Sequence, residues 1–204
     1  MADLVNSLIG RHPLISEQVS TAQVADILHA LEHVIKQSTE GAVVEFGCYI
    51  GTTSLFIRRL LDQLDPQRAF HVYDSFAGLP PKAAQDSSGA GEQFVAGELT
   101  VSKKQFMHEF QKAHLHPPIV HKGWFDSLTS EEVPESIAFA FLDGDFYDSI
   151  CDSLRLVLPR IQKGGVIVVD DYAREALPGV AKAVHEYFST DAITVVHNLG
   201  VIHI

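Results

Sequence analysis

Cysteine is scarce in this chain: Cys48 and Cys151 are the only two in 204 residues, too few for a disulfide framework or a structural zinc site. A reducing, cytoplasmic setting is the expectation. Positive charge is also thin, with 15 Lys and Arg against 26 Asp and Glu, a formal net charge of -11. No basic stripe offsets that balance locally, so nucleic acid is excluded as an expected partner and a small molecule is favoured. There is no run of about 18 apolar residues and no basic segment leading into an apolar stretch, so neither membrane insertion nor export is expected. Internal repeats, low-complexity tracts and Pro/Gly/Ser-rich linkers are missing as well. With 46% of residues apolar, the chain reads as one packed domain over residues 1–204.

What is present is an alternation of short apolar runs and helical patterns. Residues 1–40 read as an N-terminal helical segment, in which Val24, Ile27, Leu28, Leu31, Val34 and Ile35 share one helix face behind Ser20 or Thr21 as N-cap. Val43 to Phe46, a Gly-containing turn, a helix over about Thr52 to Leu64 and Phe70 to Tyr73 make a βαβ unit. Ser102 and Gln105 spell a capping box that opens a helix through Phe106 and Phe110, and a third strand follows at Ile119 to His121. Ile137 to Leu142 is a continuous apolar run of the kind central parallel strands need, because helices cover both their faces. A helix around Ile150 to Val157, a strand at Val166 to Val169 and a helix through Val180, Val184 and Phe188 continue the alternation.

The chain closes with Ile193 to Val196 and Val201 to Ile204, joined too briefly for a helical crossover and therefore paired as a hairpin. These elements predict an α/β fold: a doubly wound, mostly parallel, seven-stranded sheet with a C-terminal antiparallel hairpin, the Rossmann-like arrangement of class I methyltransferases. Residues 83–101 carry Gly, Ser, Asp and Glu with little periodicity and read as a lid loop on the substrate side.

In such sheets ligands bind beyond the carboxyl ends of the strands. Residues suited to that place follow the parallel strands. In VVEFGCYIGTTS, Glu45, Gly47 and Gly51 match an acidic-x-Gly-x-x-x-Gly turn that permits close backbone approach. The following helix N-terminus, with Thr52 and Thr53, suits the carboxylate of S-adenosyl-L-methionine. The GxGxxG fingerprint of nicotinamide enzymes is absent; a tight βα turn in any α/β protein is the alternative.

FHVYDSFAGLPP places Asp74 where a carboxylate can accept ribose hydroxyls, unless it is only a cap or turn residue. HKGWF sets Gly123, Trp124 and Phe125 against an adenine ring, with plain core or lid packing as the other reading. Phe46, Tyr49, Ser75, Phe76 and Asp143 complete the expected cofactor contacts.

FLDGDFYDS and VVDDY bring Asp143, Asp145 and Asp148 together with Asp170 and Asp171, each group after an apolar strand. Asp143, Asp170 and Asp171 are candidate ligands for a divalent cation, Mg²⁺ first, because crowded carboxylates need a counter-charge and a hard ion suits oxygen ligands. Such an ion would activate a small-molecule hydroxyl acceptor, with Asp145 as base; His121, Glu92 or Glu98 stand as alternatives. Asp148 can equally cap a helix, and Asp145 can be a solvated turn residue.

Taken in order, VEFGCYIGTTS, YDSFAGLP, GWF, FLDGDFYDS, LPRIQKGGVIVVDDY and PGVAKAV resemble the macrocin O-methyltransferase-like enzymes, which methylate sugar hydroxyls in antibiotic biosynthesis. The resemblance covers most of the chain. It implies S-adenosyl-L-methionine held through Glu45, Gly47, Gly51 and Asp74, a divalent ion on Asp143, Asp170 and Asp171, Asp145 as base, and a homodimer in some relatives. The chain departs from that family in having only about forty residues before the first strand.

Three other functions stay in view. Catechol or caffeoyl-CoA O-methyltransferases also use a late acidic pair, but usually Asp-Asn where Asp170-Asp171 stands here. A DxD transferase on Asp143-Gly144-Asp145 lacks a basic phosphate clamp. A non-catalytic S-adenosylmethionine sensor would need Glu45 and Asp74 but not the later acids.

Overall fold

The computed structural model describes Asp3–Ile204. Seven strands form one sheet in the order β3-β2-β1-β4-β5-β7-β6: β1 Ala42–Phe46, β2 Phe70–Asp74, β3 Ile119–Lys122, β4 Ile137–Leu142, β5 Ile161–Val169, β6 Ile193–Val196 and β7 Leu199–His203. β1 to β5 run parallel, and β7 lies antiparallel between β5 and β6. The strand order reverses between β1 and β4, which opens a crevice at their carboxyl ends.

Side chains alternate across the central strands, so each strand feeds two cores. Val43, Phe139, Phe141, Val166 and Val168 face a layer built by helices α1 (Leu4–Arg11), α2 (Thr21–Lys36), α3 (Thr52–Leu64) and α4 (Lys103–Lys112). Val44, Phe46, Ala140, Leu142, Ile167 and Val169 face α5 (Tyr147–Val157) and α6 (Pro178–His185). Every residue of β4 is buried, because it lies mid-sheet between both layers.

Of the two N-cap candidates for α2 it is Ser20 that caps, with Gln23 completing a capping box not singled out in the sequence, and Ser102 and Gln105 make the expected box on α4. Three boundaries differ from the sequence pattern. β5 starts at Ile161 rather than Val166, running through Gly164 at φ 81° with a register irregularity against β4. The hairpin turn is only His197-Asn198, both left-handed, so β7 begins at Leu199. α6 ends at His185, before Phe188.

Residues 83–101 are folded against the body of the domain. They contain 3-10 turns at Ala84–Asp86 and Gly89–Gly91, and are tied to the α6 region by Lys182 Nζ donating to Gln85 O at 2.5 Å and Ser88 Oγ to Glu175 O at 3.0 Å. Asp86 is fully buried and accepts from Ala83 N at 2.9 Å and Tyr147 N at 2.8 Å. Tyr147 opens α5, whose own N-cap, Phe146, has no capping side chain, so Asp86 caps that helix from 61 residues away. Asp148, the sequence candidate for that role, is exposed in the first turn. Among the described residues no helix is long and apolar enough to cross a membrane.

Candidate active site

A cavity opens at the carboxyl ends of the parallel strands, where ligands of such sheets bind. Each parallel strand contributes to its wall: β1 through Gly47 to Tyr49, β2 through Asp74 and Ser75, β3 through Trp124 and Phe125, β4 through Asp143 to Asp145, and β5 through Asp170, Asp171 and Arg174. Leu79 and Leu99 enter from the segment after β2, and Gln18 from the N-terminal segment.

Gly47 has φ 87°, and a Cβ there would run into the carbonyl oxygen of Asp143 on the neighbouring strand. Only glycine lets the β1 turn lie this close to β4. Across the turn, Asp74 Oδ2 accepts from the backbone N–H of Cys48 at 2.9 Å and of Tyr49 at 3.2 Å, while Oδ1 accepts from Phe76 N at 2.6 Å. Asp74 therefore ties two strand-end loops together as well as lining the cavity. Oδ1, with one protein donor, keeps acceptor capacity for a ligand hydroxyl. Trp124 is 42% exposed on the cavity rim, not core packing, and Phe125 meets Phe46 edge-to-face at 5.3 Å.

Several of the residues expected to touch cofactor stand behind this wall: Glu45, Phe46, Gly51, Thr52, Thr53, Phe76 and Gly123 are not on the cavity surface. Glu45 is fully buried; its Oε2 accepts from Ser54 Oγ at 2.5 Å, and its Oε1 has no partner. Burial pushes its pKa up to about 8, against the Ser54 hydrogen bond, with Asp74 adding to the rise. The Thr52 hydroxyl pairs with Ser16 Oγ at 2.9 Å.

The four acids of β4 and β5 share the other half of the cavity. Asp170 and Asp171 are buried, and Asp143 and Asp145 are half-buried because they face the opening. Burial raises the pKa of all four, and mutual repulsion raises it further at Asp143, Asp145 and Asp170: Asp145 to about 8 through Asp171 and Asp170, Asp170 to about 7 through Asp171. One cation answers them. Arg174 Nη1 reaches Asp171 Oδ1 at 3.0 Å and Oδ2 at 3.2 Å, and its guanidinium lies 5.1 Å from the Phe94 ring centroid in the segment after β2.

The donor set, all oxygen and more negative than one Arg can balance, suits a hard divalent ion. As the side chains lie, no group of three or more His, Cys, Asp or Glu among the described residues is arranged to hold a metal. Asp171 is engaged by Arg174 through both oxygens, so coordination there requires side-chain rotation, whereas Asp170 is held through Oδ1 alone, by Gln23 Nε2 and Asp171 N.

Asp145 lies on the cavity with φ 59° rather than in a solvated turn. The alternative bases fare otherwise: His121 stacks on Tyr73 at 4.4 Å and pairs with His71 at 3.0 Å, away from the cavity wall, and Glu92 and Glu98 are exposed. Sequence reading missed Gln18, Gln23 and Arg174. The available signal for Gln23 was its place three residues after Ser20, the spacing of a capping box, and for Arg174 its place three residues after an acidic pair; Gln18 carries no local signal.

This sheet order, with its strand-end crevice and one reversed strand, is the class I methyltransferase fold. Residues 13–202 match the family described as Macrocin-O-methyltransferase (TylF), and the chain belongs to that family. It is 31% identical over 175 residues to the 8-demethyl-8-(2,3-dimethoxy-alpha-L-rhamnosyl)-tetracenomycin-C 4'-O-methyltransferase of Streptomyces olivaceus, covering 83% of this chain and 66% of that protein. It is 28% identical over 177 residues to the Mycinamicin III 3''-O-methyltransferase of Micromonospora griseorubida, covering 83% and 68%. The chain thus spans about two thirds of the length of these relatives. Among solved structures, the O-methyltransferase NovP superposes with a TM-score of 0.78 at 25% identity, over 91% of this chain and 80% of that one. A Bacillus cereus O-methyltransferase in complex with SAH shares the fold, with a TM-score of 0.62 at 14% identity over 98% and 89%.

Proposed function

We propose that this protein is an S-adenosyl-L-methionine-dependent O-methyltransferase acting on a hydroxyl of a small molecule, a sugar or glycosylated natural product, with help from Mg²⁺ or a similar divalent ion. Family membership and the sugar-directed names of its relatives support the acceptor class. The single observation that carries the mechanism is that Asp143, Asp145, Asp170 and Asp171 face the same cavity as Gly47, Asp74 and Trp124.

When bound, the sulfonium cofactor supplies an electrophilic methyl group, and the divalent ion supplies Lewis acidity that lowers the pKa of the acceptor hydroxyl. Gly47, Tyr49, Asp74, Ser75 and Trp124 bind the cofactor from the β1 to β3 side. Asp143, Asp170 and Asp171 hold the ion. Asp145, on the cavity wall, takes the hydroxyl proton; Arg174 favours its charged form, and a bound cation would add to that, countering the burial and acid crowding that favour the protonated form. Leu99 lines the cavity from the segment after β2 and limits water, with Phe94 of the same segment packed against Arg174.

The test is transfer of labelled methyl from S-adenosyl-L-methionine to a panel of glycosides and phenols, with Mg²⁺ or with EDTA, by wild type and Asp143→Ala. Label should reach glycosides only with the ion and only in wild type. Preference for catechols would assign the alternative acceptor class, and cofactor binding with no transfer to any acceptor would leave a sensor.

A further inference from the structure

We propose that Gln23, a residue of the N-terminal helix α2, is a positioning residue of the active site: its amide holds the Asp170 carboxylate in its working orientation. The inference rests on the role given to Asp170 above and on bonds that span 147 residues. Gln23 Oε1 accepts from Ser20 N at 3.0 Å and from Ser20 Oγ at 2.8 Å, while Ser20 Oγ accepts from Gln23 N at 3.2 Å. This reciprocal box fixes which end of the amide faces which way, because only the carbonyl end can accept from Ser20. The NH₂ end is thereby aimed at Asp170, and Nε2 donates to Asp170 Oδ1 at 3.1 Å.

The same Oδ1 also accepts from Asp171 N at 2.8 Å. With one oxygen held by two donors, the rotation of the carboxylate is set and Oδ2 is left for the cavity, whose wall Asp170 forms. The base of the device is rigid: Val24, Ile27, Leu28, Leu31 and Val34 of α2 are fully buried in the core.

The residue type itself carries information. A capping box accepts Glu as readily as Gln, and an acid in the first helical turn gains from the helix dipole. Local helix chemistry alone would therefore be served better by Glu. A Glu here would keep the box but set a further anion against Asp170, already crowded by Asp171 and Asp143. Gln satisfies the helix and supplies a donor to the acid. Ser16, bonded to Thr52 at 2.9 Å, ties the same N-terminal segment to the start of α3, so that segment braces both halves of the site.

The experiment separates helix capping from positioning. Ser20→Ala breaks the box but leaves the amide free to reach Asp170; Gln23→Glu keeps the box but removes the donor; Gln23→Ala loses both. Methyl transfer is read as kcat and acceptor KM, Mg²⁺ affinity by calorimetry with S-adenosylhomocysteine present, and S-adenosylhomocysteine affinity as the control. We expect Gln23→Ala and Gln23→Glu to lower kcat about tenfold or more, the scale of a lost hydrogen bond to a charged group. Mg²⁺ affinity should weaken by a similar factor in Gln23→Ala, while Ser20→Ala stays within about twofold of wild type and S-adenosylhomocysteine binds all variants alike. In an Asp170→Asn background, Gln23→Ala should add nothing.

The proposal is overturned if Ser20→Ala loses as much as Gln23→Ala, if both Gln23 variants keep wild-type kcat and ion affinity, or if the loss persists undiminished with Asp170→Asn. Wild type that binds no Mg²⁺ would remove the ion from the proposed function, and the kcat cycle would still decide Gln23. Wild type that transfers no methyl group would remove the transferase reading, and the Mg²⁺ titration would decide it.

Discussion

Asp145→Asn should stabilise the metal-free protein, although it removes the proposed base. The folded-state pKa of Asp145 is raised from 3.8 to about 8, first by burial, then by Asp171 and Asp170, with Arg174 opposing. For an acid shifted upward, the favourable state is the protonated one. It is fully in place below the unfolded value near 4 and is lost as pH rises through about 8, so wild type weakens across that window. A gap of about four pKa units sets a ceiling of about 5–6 kcal/mol at pH 8.

The realised figure is smaller, since the carboxylate partly faces the cavity, where solvent screens it; about 2 kcal/mol is the expectation. For a domain of this size that corresponds to about 4–8 °C in melting temperature. The assay is thermal unfolding in EDTA at pH 5.5 and pH 8. The variant should exceed wild type more at the higher pH, and saturating Mg²⁺ should narrow or reverse the difference by stabilising wild type more. Equal or lower stability of Asp145→Asn at pH 8 in EDTA would refute the claim that these acids repel one another across the cavity.

Gly47→Ala should destabilise the protein by about 3 kcal/mol, combining left-handed backbone strain with displacement of the Asp143 carbonyl; chemical denaturation measures it, and unchanged stability would mean the β1–β4 approach is looser than described. Asp86→Ala strands the half-buried N–H groups of Ala83 and Tyr147 and should cost about 1–3 kcal/mol. Hydrogen exchange should then quicken across residues 83–101 and the first turn of α5, with little change in α2. Trp124→Ala should raise KM for cofactor or acceptor with kcat nearly kept, since an exposed rim aromatic contributes binding alone; a kcat loss without a KM change would place it in the chemistry.

The parts of the fold legible in the sequence are those written in local periodicity. Ile137 to Leu142 can only be a doubly covered strand, and Ser102 with Gln105 can hardly avoid starting a helix. The strand-end acids were readable for the same reason, as polar residues placed directly after apolar runs. What was hidden depends on separation. Asp86 reaches Tyr147 across 61 residues and Gln23 reaches Asp170 across 147, and no window of sequence holds both partners. Glu45 shows the same limit: its place in a glycine-rich turn is legible, but its burial against Ser54 on α3 is seen only in the fold.

Backbone strain ties the two halves of the site together. Tyr49, Phe76, Asp145 and Asp171 are all left-handed, at φ 48°, 52°, 59° and 55°, and they follow β1, β2, β4 and β5. Asp tolerates this region better than most residues, so at positions 145 and 171 the acid needed for charge is also among the least strained choices. Tyr and Phe have no such tolerance, and each carries a cost of about 1–2 kcal/mol. Both are held by one group: Asp74 accepts from Tyr49 N at 3.2 Å and Phe76 N at 2.6 Å. Charge-assisted bonds of about 1.5–3 kcal/mol each are large enough to offset that strain. Asp74 is therefore placed to hold the cofactor loops in shape before any ligand arrives, and an amide there, presenting donors to donors, would undo the loops along with the contact.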